Sequence, residues 1–191
     1  MWVYYKMKSI RQDLGDLLKA SYLPEKDAQS LLEKKKYKID PELSSPETKV
    51  FVDEAHQPLI IHRGTSTVKD IIDDGLVAIG LGKYGHRYKN ARRLTKKVED
   101  KYQQPAHAIG HSYGGWLAEN SGASGNTLTY NKAVGLGDIG RKKTNRQQDV
   151  RTRGDIVSRL SSTQQTNMET LNNKHFFRNP ITAHDTVNLF Y

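Results

Sequence analysis

The chain has 191 residues, a formal net charge of +9 and no cysteine. This length fits one globular domain, and the lack of cysteine excludes a disulfide scaffold, a thiol nucleophile and cysteine-ligated metal sites. The positive charge favours an anionic partner, either nucleic acid or an acidic membrane surface.

The first part of the chain, residues 1–47, is predicted to be a helical accessory segment. Apolar residues recur at helical spacing across residues 8–37, and a break at Leu23-Pro24 separates two helices. A loop rich in proline and serine follows over residues 40–47. We therefore expect the main domain to occupy residues 48–191.

From residue 48 onwards, strand-like and helix-like segments alternate. Short β-branched runs at residues 49–53 and 58–62 indicate two neighbouring strands. Further strands are expected at residues 106–110, 128–134 and 150–157, and helices at residues 68–74, 87–102 and 114–121. This alternation favours a three-layer α/β sandwich with a mostly parallel sheet.

Most of the excess positive charge lies in two segments of the main domain. Residues 83–101 contain eight basic and two acidic residues, and residues 141–159 contain seven basic and two acidic residues. Charge runs usually form a solvated face, but near an active site they would favour peripheral contact with an anionic membrane. The non-catalytic alternative is a basic nucleic-acid-binding or virion-type structural protein that uses the helix at residues 87–101 on phosphates.

The sequence predicts neither a targeting segment nor a cofactor. The N-terminus lacks the apolar stretch of a secretory signal, and no apolar run is long enough to span a bilayer. These features and the lack of cysteine are compatible with a cytoplasmic or intravirion setting, and they leave the compartment itself open. No H-E-x-x-H, P-loop or EF-hand pattern occurs, so we expect no cofactor and no metal.

The motif that carries chemistry is Gly110-His111-Ser112-Tyr113-Gly114, a G-x-S-x-G pentapeptide between an apolar strand and a helix. This context is typical of a nucleophile elbow, a tight turn that needs small residues two positions before and after the serine. The turn raises the serine hydroxyl at the carboxyl end of the strand, while the next amide points to where an oxyanion would form. We therefore predict Ser112 as the nucleophile and the Tyr113 amide as an oxyanion donor.

A serine hydroxyl also needs a base and an orienting acid, which follow it in the order Asp or Glu, then His, in this type of fold. His184, in a loop near the end of the chain, is preferred over His175 as the base. Asp155 is preferred as the acid because it follows Val150–Arg153 and Gly154, at a strand end and in a turn where a carboxylate can project. The aspartates that stay open as alternatives are Asp138, Asp149 and Asp185.

Two segments are specific enough to compare with a known family. Residues 61–74, IHRGTSTVKDIIDD, resemble the oxyanion-loop segment of class 3 (fungal-type) lipases, and GHSYGG at residues 110–115 resembles their GHSxGG elbow. Asp155 and His184 stand where that family carries its acid and its last-loop histidine. The resemblance covers residues 48–189 and implies an α/β-hydrolase fold in which this serine, aspartate and histidine form a triad.

The same resemblance implies that Thr65 contributes a second oxyanion donor through its backbone amide. It also places a lid at residues 68–81, an apolar segment that could cover an acyl chain; a helix packed on the sheet is the equal alternative. The chain departs from the family at two positions. His62 replaces an aromatic residue, usually Phe, before the Arg-Gly pair, and Tyr113 replaces the Leu that usually follows the serine.

The predicted function is therefore that of a serine-dependent carboxylic ester hydrolase of the lipase or phospholipase type. It would act on an ester lipid through an acyl-enzyme, at an anionic lipid interface. A thioesterase or peptidase with the same triad is the enzymatic alternative. The pattern leaves the head group, the acyl chain and the oligomeric state open.

Overall fold

The computed structural model describes residues 10–65, 86–134, 138, 140, 145–155, 157, 158 and 167–171. The helices in this part are α1 (Leu14–Ser21), α2 (Glu25–Glu33), α3 (His86–Tyr102) and α4 (Tyr113–Asn120). The strands are β1 (Lys38–Ile39), β2 (Thr48–Val52), β3 (Pro58–His62), β4 (His107–His111), β5 (Thr127–Tyr130), β6 (Gln147–Thr152) and β7 (Asn167–Leu171). The predicted helix at residues 68–74 and the lid segment at residues 68–81 lie outside the described residues. Among the described helices, none combines the length and the apolar character needed to cross a membrane.

The described strands form one sheet in chain order from β1 to β7. The pairs β1–β2 and β2–β3 are antiparallel, and the pairs from β3 through β7 are parallel. The prediction of a mostly parallel sheet is confirmed. Because parallel strands end at the same edge of a sheet, the residues that follow β4 and β6 lie along one edge.

Alternating side chains bury both faces of the sheet. Leu59 and Ile61 of β3 belong to the apolar cluster that contains Leu17 of α1. Ile60, between them, packs with Val98 of α3 on the opposite face. This alternation follows from the period of two in a strand, and it produces the expected three layers with the sheet in the middle.

The helix α1 is part of the central apolar core. Leu14, Leu17 and Leu18 are 0% exposed, as their helical spacing predicts. Complete burial of one leucine side chain stabilises a fold by about 2 kcal/mol. Residues 10–47 therefore share a core with the central strands; the domain boundary after residue 47 stays a prediction.

The chain pattern did not predict the outer strands β1 and β7. β1 has two residues, and β7 reads Asn-Met-Glu-Thr-Leu with its side chains exposed or half-buried. Such segments lack the apolar alternation that identifies a half-buried strand. They form because the backbone N–H and C=O groups of the neighbouring strands, β2 and β6, need hydrogen-bond partners. These neighbours exist only in the assembled sheet, so the local sequence does not reveal them.

Candidate active site

Ser112 stands in a sharp turn between β4 and α4. Its φ of 57° and ψ of −127° lie outside the backbone regions that residues with a Cβ favour. Such a conformation costs on the order of 1–3 kcal/mol and persists only where the surrounding structure holds it. The serine thus occupies a strained turn that leads from a buried strand into a helix.

Two glycines make this turn possible. A Cβ on Gly110 would lie 2.1 Å from the carbonyl oxygen of Gly114, and a Cβ on Gly114 would lie 2.1 Å from the carbonyl oxygen of His62. Contacts this short are sterically excluded, so any side chain at either position would force the backbone apart. The turn therefore packs directly against the end of β3.

Backbone hydrogen bonds hold the strained serine from both sides. The Ser112 amide donates to the carbonyl oxygen of Tyr130 at 3.1 Å. The Ser112 carbonyl accepts from the amides of Gly115 at 2.9 Å and Ala133 at 3.1 Å. These bonds tie the turn to the end of β5 and offset its conformational strain.

The Ser112 hydroxyl is buried and has no hydrogen-bond partner among the described residues. The residue is 1% exposed. Native structures satisfy nearly all buried polar atoms, so an unsatisfied hydroxyl calls for a functional explanation. A nucleophile whose oxygen is kept ready for a reacting group meets that requirement.

The loop after β3 lies against the same turn. A Cβ on Gly64 would lie 3.2 Å from the Cβ of Ser112 and 3.0 Å from the carbonyl oxygen of His111. The next residue, Thr65, has a buried hydroxyl oxygen that also finds no partner in the described part of the chain. The resemblance assigned Thr65 to an oxyanion site, and the fold brings its loop to the serine.

The Tyr113 side chain packs into an aromatic and cationic cluster. Its ring stacks on Trp116 with centroids 5.8 Å apart, and the Arg87 guanidinium lies 5.1 Å from the ring centroid. Burial raises the pKa of the Tyr113 hydroxyl, so the ring stays neutral near pH 7. The polar side chain that replaces the family's Leu is therefore held on α4 by its neighbours.

Asp155 follows β6 at the sheet edge where Ser112 follows β4. It is 4% exposed. Its Oδ1 accepts from the amide of Val157 at 3.1 Å, and its Oδ2 accepts from the amide of Ser158 at 2.8 Å. These bonds fix the carboxylate in the turn after β6. In the described sheet, β5 lies between β6 and β4, the strand that leads to Ser112.

Two of the alternative aspartates have internal partners elsewhere in the fold. Asp149 accepts from the buried Lys132 at 2.9 Å and from Thr129 at 2.6 Å. Burial alone would raise the pKa of Asp149, but the Lys132 charge and the hydrogen bonds from its neighbours outweigh it and hold the pKa below its ordinary value. Asp138 accepts from the indole nitrogen of Trp116 at 2.7 Å. Both carboxylates thus act as structural acceptors in the core.

The predicted bases His184 and His175, and the alternative acid Asp185, lie outside the described residues. His62 is described and is unsuited to act as a base. It is fully buried, and its Nδ1 lies 3.2 Å from the Thr48 hydroxyl. Burial lowers the pKa of His62 to about 3, so the ring stays neutral at physiological pH. It therefore fills the core position where the related family carries Phe.

Sequence reasoning missed Tyr22, whose hydroxyl oxygen lies 2.8 Å from Nδ1 of His111, the residue before the serine. The two residues are 89 positions apart, and no local pattern connects them.

The described residues include no group of three or more His, Asp or Glu side chains that could hold a metal ion.

Two comparisons with known proteins bear on the family and the fold of the chain. Residues 15–173 match the family described as the Tle-like phospholipase domain. The fold is similar to that of the Lip2 lipase from Yarrowia lipolytica, with a TM-score of 0.52 and 15% identity, over 82% of this chain and 75% of that one. No curated protein shows significant sequence similarity to the chain.

The family match spans most of the chain, and the similarity to Lip2 shows the fold. The expected lipase-like α/β-hydrolase family and fold class are therefore confirmed. The chain belongs to the phospholipase-like family defined by the Tle-like phospholipase domain.

Proposed function

We propose that this protein is a serine-dependent carboxylic ester hydrolase that cleaves acyl esters of phospholipids through an acyl-enzyme on Ser112. One observation carries the proposal: Ser112 is strained and buried against the loop that leads to Thr65, and its hydroxyl has no hydrogen-bond partner among the described residues. The family match to a phospholipase-like domain supports the substrate class.

In the proposed reaction, the Ser112 oxygen attacks the ester carbonyl carbon while His184 takes the hydroxyl proton. The Thr65 and Tyr113 amides donate to the resulting oxyanion, and each such donor typically contributes about 3 kcal/mol to transition-state stabilisation. His184 then returns the proton to the leaving alcohol oxygen as the ester C–O bond breaks. Water attacks the acyl-serine by the same route and releases the free acid.

Asp155 is proposed to orient His184 and to stabilise its protonated form. This role is supported by the fixed position of its carboxylate at the edge of the sheet where Ser112 also lies. It is also supported by the two alternative acids, since the carboxylate of Asp149 already accepts a hydrogen bond from Lys132 and that of Asp138 from Trp116. The lid at residues 68–81 remains part of the proposal as the segment that would cover the acyl chain.

The function is tested by exposing the folded protein to a serine-directed fluorophosphonate and to phosphatidylcholine and phosphatidylglycerol vesicles. We expect one covalent adduct, on the peptide that contains Ser112, and release of free fatty acid from the vesicles. A matched panel of thioesters and peptides separates the alternatives with the same triad. A folded protein that forms no adduct and cleaves none of these substrates would contradict the proposal.

A second part of the proposal concerns recruitment to anionic membranes by the basic face of α3. The exposed cations along this helix are Lys89, Arg92, Arg93, Lys96, Lys97 and Lys101. Lipid-facing basic residues contribute about 1 kcal/mol each to binding an anionic surface. This face is one source of the chain's net charge of +9.

Reversal of two charges in K89E/K97E is expected to weaken binding to phosphatidylglycerol-containing vesicles by about tenfold or more at low salt. Vesicle co-sedimentation measures the effect, with pure phosphatidylcholine as the neutral surface. The matched control is K26E/K34E, which changes the net charge equally at exposed positions near α2 and should retain more binding. Equal losses in both variants would contradict a role of this particular face. Tight, salt-dependent binding of DNA without vesicle binding would favour the nucleic-acid alternative.

A further inference from the structure

Tyr22 is held at the active site by the central core. It directly follows α1, whose Leu17 and Leu18 are 0% exposed. The Tyr22 amide donates to the carbonyl oxygen of Lys19 at 3.0 Å, which continues the helical backbone to the tyrosine. The position of this ring is thus set by the packing of α1 on the sheet.

The Tyr22 hydroxyl links three segments that are distant in the sequence. It accepts a hydrogen bond from the Gly64 amide at 3.2 Å, and it lies 2.8 Å from Nδ1 of His111. A hydroxyl can accept one bond while donating another, so Tyr22 can accept from the Gly64 amide and also donate to Nδ1 of His111 when that ring carries its proton on Nε2. His111 in turn stacks on Tyr130, with ring centroids 5.7 Å apart.

The backbone of the loop after β3 is held at successive polar groups. The Arg63 amide donates to the carbonyl oxygen of Glu47 at 3.0 Å, and the Arg63 carbonyl accepts from the Arg87 guanidinium at 2.6 Å. The Gly64 amide donates to Tyr22. The next amide along the chain belongs to Thr65, the donor that the proposed function assigns to the oxyanion.

Gly64 is also in steric contact with both the tyrosine and the elbow. A Cβ at this position would lie 2.8 Å from the Tyr22 hydroxyl oxygen and 3.2 Å from the Cβ of Ser112. The space between the loop and the nucleophile is therefore set by Tyr22 on one side and by the elbow on the other. Without the Tyr22 hydroxyl, the amide of Gly64 would lose this hydrogen-bond acceptor, and Gly64 directly precedes Thr65.

We propose that Tyr22 is a positioning residue that holds the oxyanion loop against the elbow through its hydroxyl. This inference depends on the proposed function, since it assigns a role in aligning the Thr65 amide. It gives the N-terminal helices a part in catalysis without any contact to substrate. A small misplacement of a catalytic group can lower a rate by up to about a hundredfold.

The test is the variant Tyr22→Phe, which removes only the hydroxyl. We expect its kcat for ester hydrolysis to fall by about tenfold or more, with KM unchanged within about twofold, because the interaction affects the transition state alone. The matched control is Tyr37→Phe, which removes a buried hydroxyl from the same N-terminal region, bonded to Asp13 at 3.3 Å. The control is expected to keep the wild-type kcat.

A transition-state analogue separates positioning from a general loss of structure. A trifluoromethyl ketone forms a tetrahedral adduct with an oxyanion, so its inhibition constant should rise in Tyr22→Phe by the factor by which kcat/KM falls. Tyr22→Phe leaves two polar groups without this hydroxyl and Tyr37→Phe leaves one, so the thermal midpoint of Tyr22→Phe is expected to lie about 2–4 °C below that of Tyr37→Phe. These two measurements together identify an effect on the oxyanion site.

The inference is overturned if Tyr22→Phe keeps the wild-type kcat, or if Tyr37→Phe loses as much activity. It is also overturned if the inhibition constant does not follow kcat/KM. Failure of the proposed function has a different signature: the wild-type protein itself would lack ester turnover and a fluorophosphonate adduct.

Discussion

Replacement of Ser112 by alanine is expected to lower the kcat of ester hydrolysis by about 10⁴- to 10⁶-fold. The variant lacks the oxygen that forms the acyl-enzyme, and only the activity supported by binding and the oxyanion donors would remain. Steady-state kinetics on a soluble p-nitrophenyl ester and on phospholipid vesicles measure this loss. The fluorophosphonate adduct should disappear at the same time.

The fold is expected to survive this change, because the backbone contacts of the elbow do not use the serine hydroxyl. The hydroxyl has no partner among the described residues, so its removal leaves no described polar group unsatisfied. Ser112→Gly should be equally inactive but more stable than Ser112→Ala by about 1 kcal/mol, because glycine tolerates the φ of 57°. Thermal unfolding of the two variants compares these effects.

A suitable control is Ser121→Ala, which makes the same chemical change at a buried serine that bonds the carbonyl oxygen of Ala118. This variant should keep its kcat and lose some stability. Retention of more than about 1% of the turnover in Ser112→Ala, in a preparation free of other esterases, would exclude Ser112 as the nucleophile.

The central part of the fold could be predicted because its signals are local. The strand β4 is a short, fully buried segment, Gly110 and Gly114 mark the turn, and the helix α4 begins directly after Ser112. The crowding around both glycines explains why the pentapeptide requires them. Similarly, the helical spacing of Leu14, Leu17 and Leu18 predicted the buried face of α1.

The contacts that complete the site could not be predicted, because they join residues that are distant in the sequence. Tyr22 reaches Gly64 across 42 positions and His111 across 89. The partners of Asp149 also depend on how β5 and β6 pair, which no short pattern specifies. From the sequence alone, Asp149 therefore stayed open as an alternative acid beside Asp155.

Replacement of Asp155 by asparagine is expected to lower kcat by about 10⁴-fold while leaving KM and the fold nearly unchanged. The carbonyl oxygen of asparagine can keep one of the two hydrogen bonds from the amides of Val157 and Ser158, while the other is lost at a cost of about 1–3 kcal/mol, so the turn should persist with reduced stability. It cannot stabilise a protonated histidine, which the proposed mechanism requires in each acyl transfer. The kinetics of wild type and variant, together with circular dichroism, measure both expectations.

Asp149→Asn is the matched comparison, because it makes the same change at a buried aspartate of β6, the strand that Asp155 follows. Lys132 is 1% exposed and would lose one of its carboxylate partners, although Glu119 remains at 2.8 Å. Breaking a buried ion pair typically costs about 3 kcal/mol in the free energy of unfolding. We therefore expect a loss of stability in denaturant titration with kcat nearly unchanged.

The pH dependence of stability provides a further check on Asp149. Its pKa in the folded protein is lower than its ordinary value, so its ionised form stabilises the native state. This contribution is complete above the unfolded-state pKa of about 4 and is lost as the pH falls through the folded-state pKa. The difference in unfolding free energy between wild type and Asp149→Asn should accordingly be largest near neutral pH and shrink in acid.

Together, the two aspartate variants separate catalysis from stability. If Asp155→Asn kept near-wild-type turnover while Asp149→Asn lost it at unchanged stability, the acid of the proposed triad would be Asp149. Such a result would require the Asp149 carboxylate to exchange Lys132 and Thr129 for a histidine, although these partners now hold it in the core at 2.9 Å and 2.6 Å. Because of these partners, Asp149→Asn should mainly lower the free energy of unfolding. The large loss of kcat is therefore expected in Asp155→Asn.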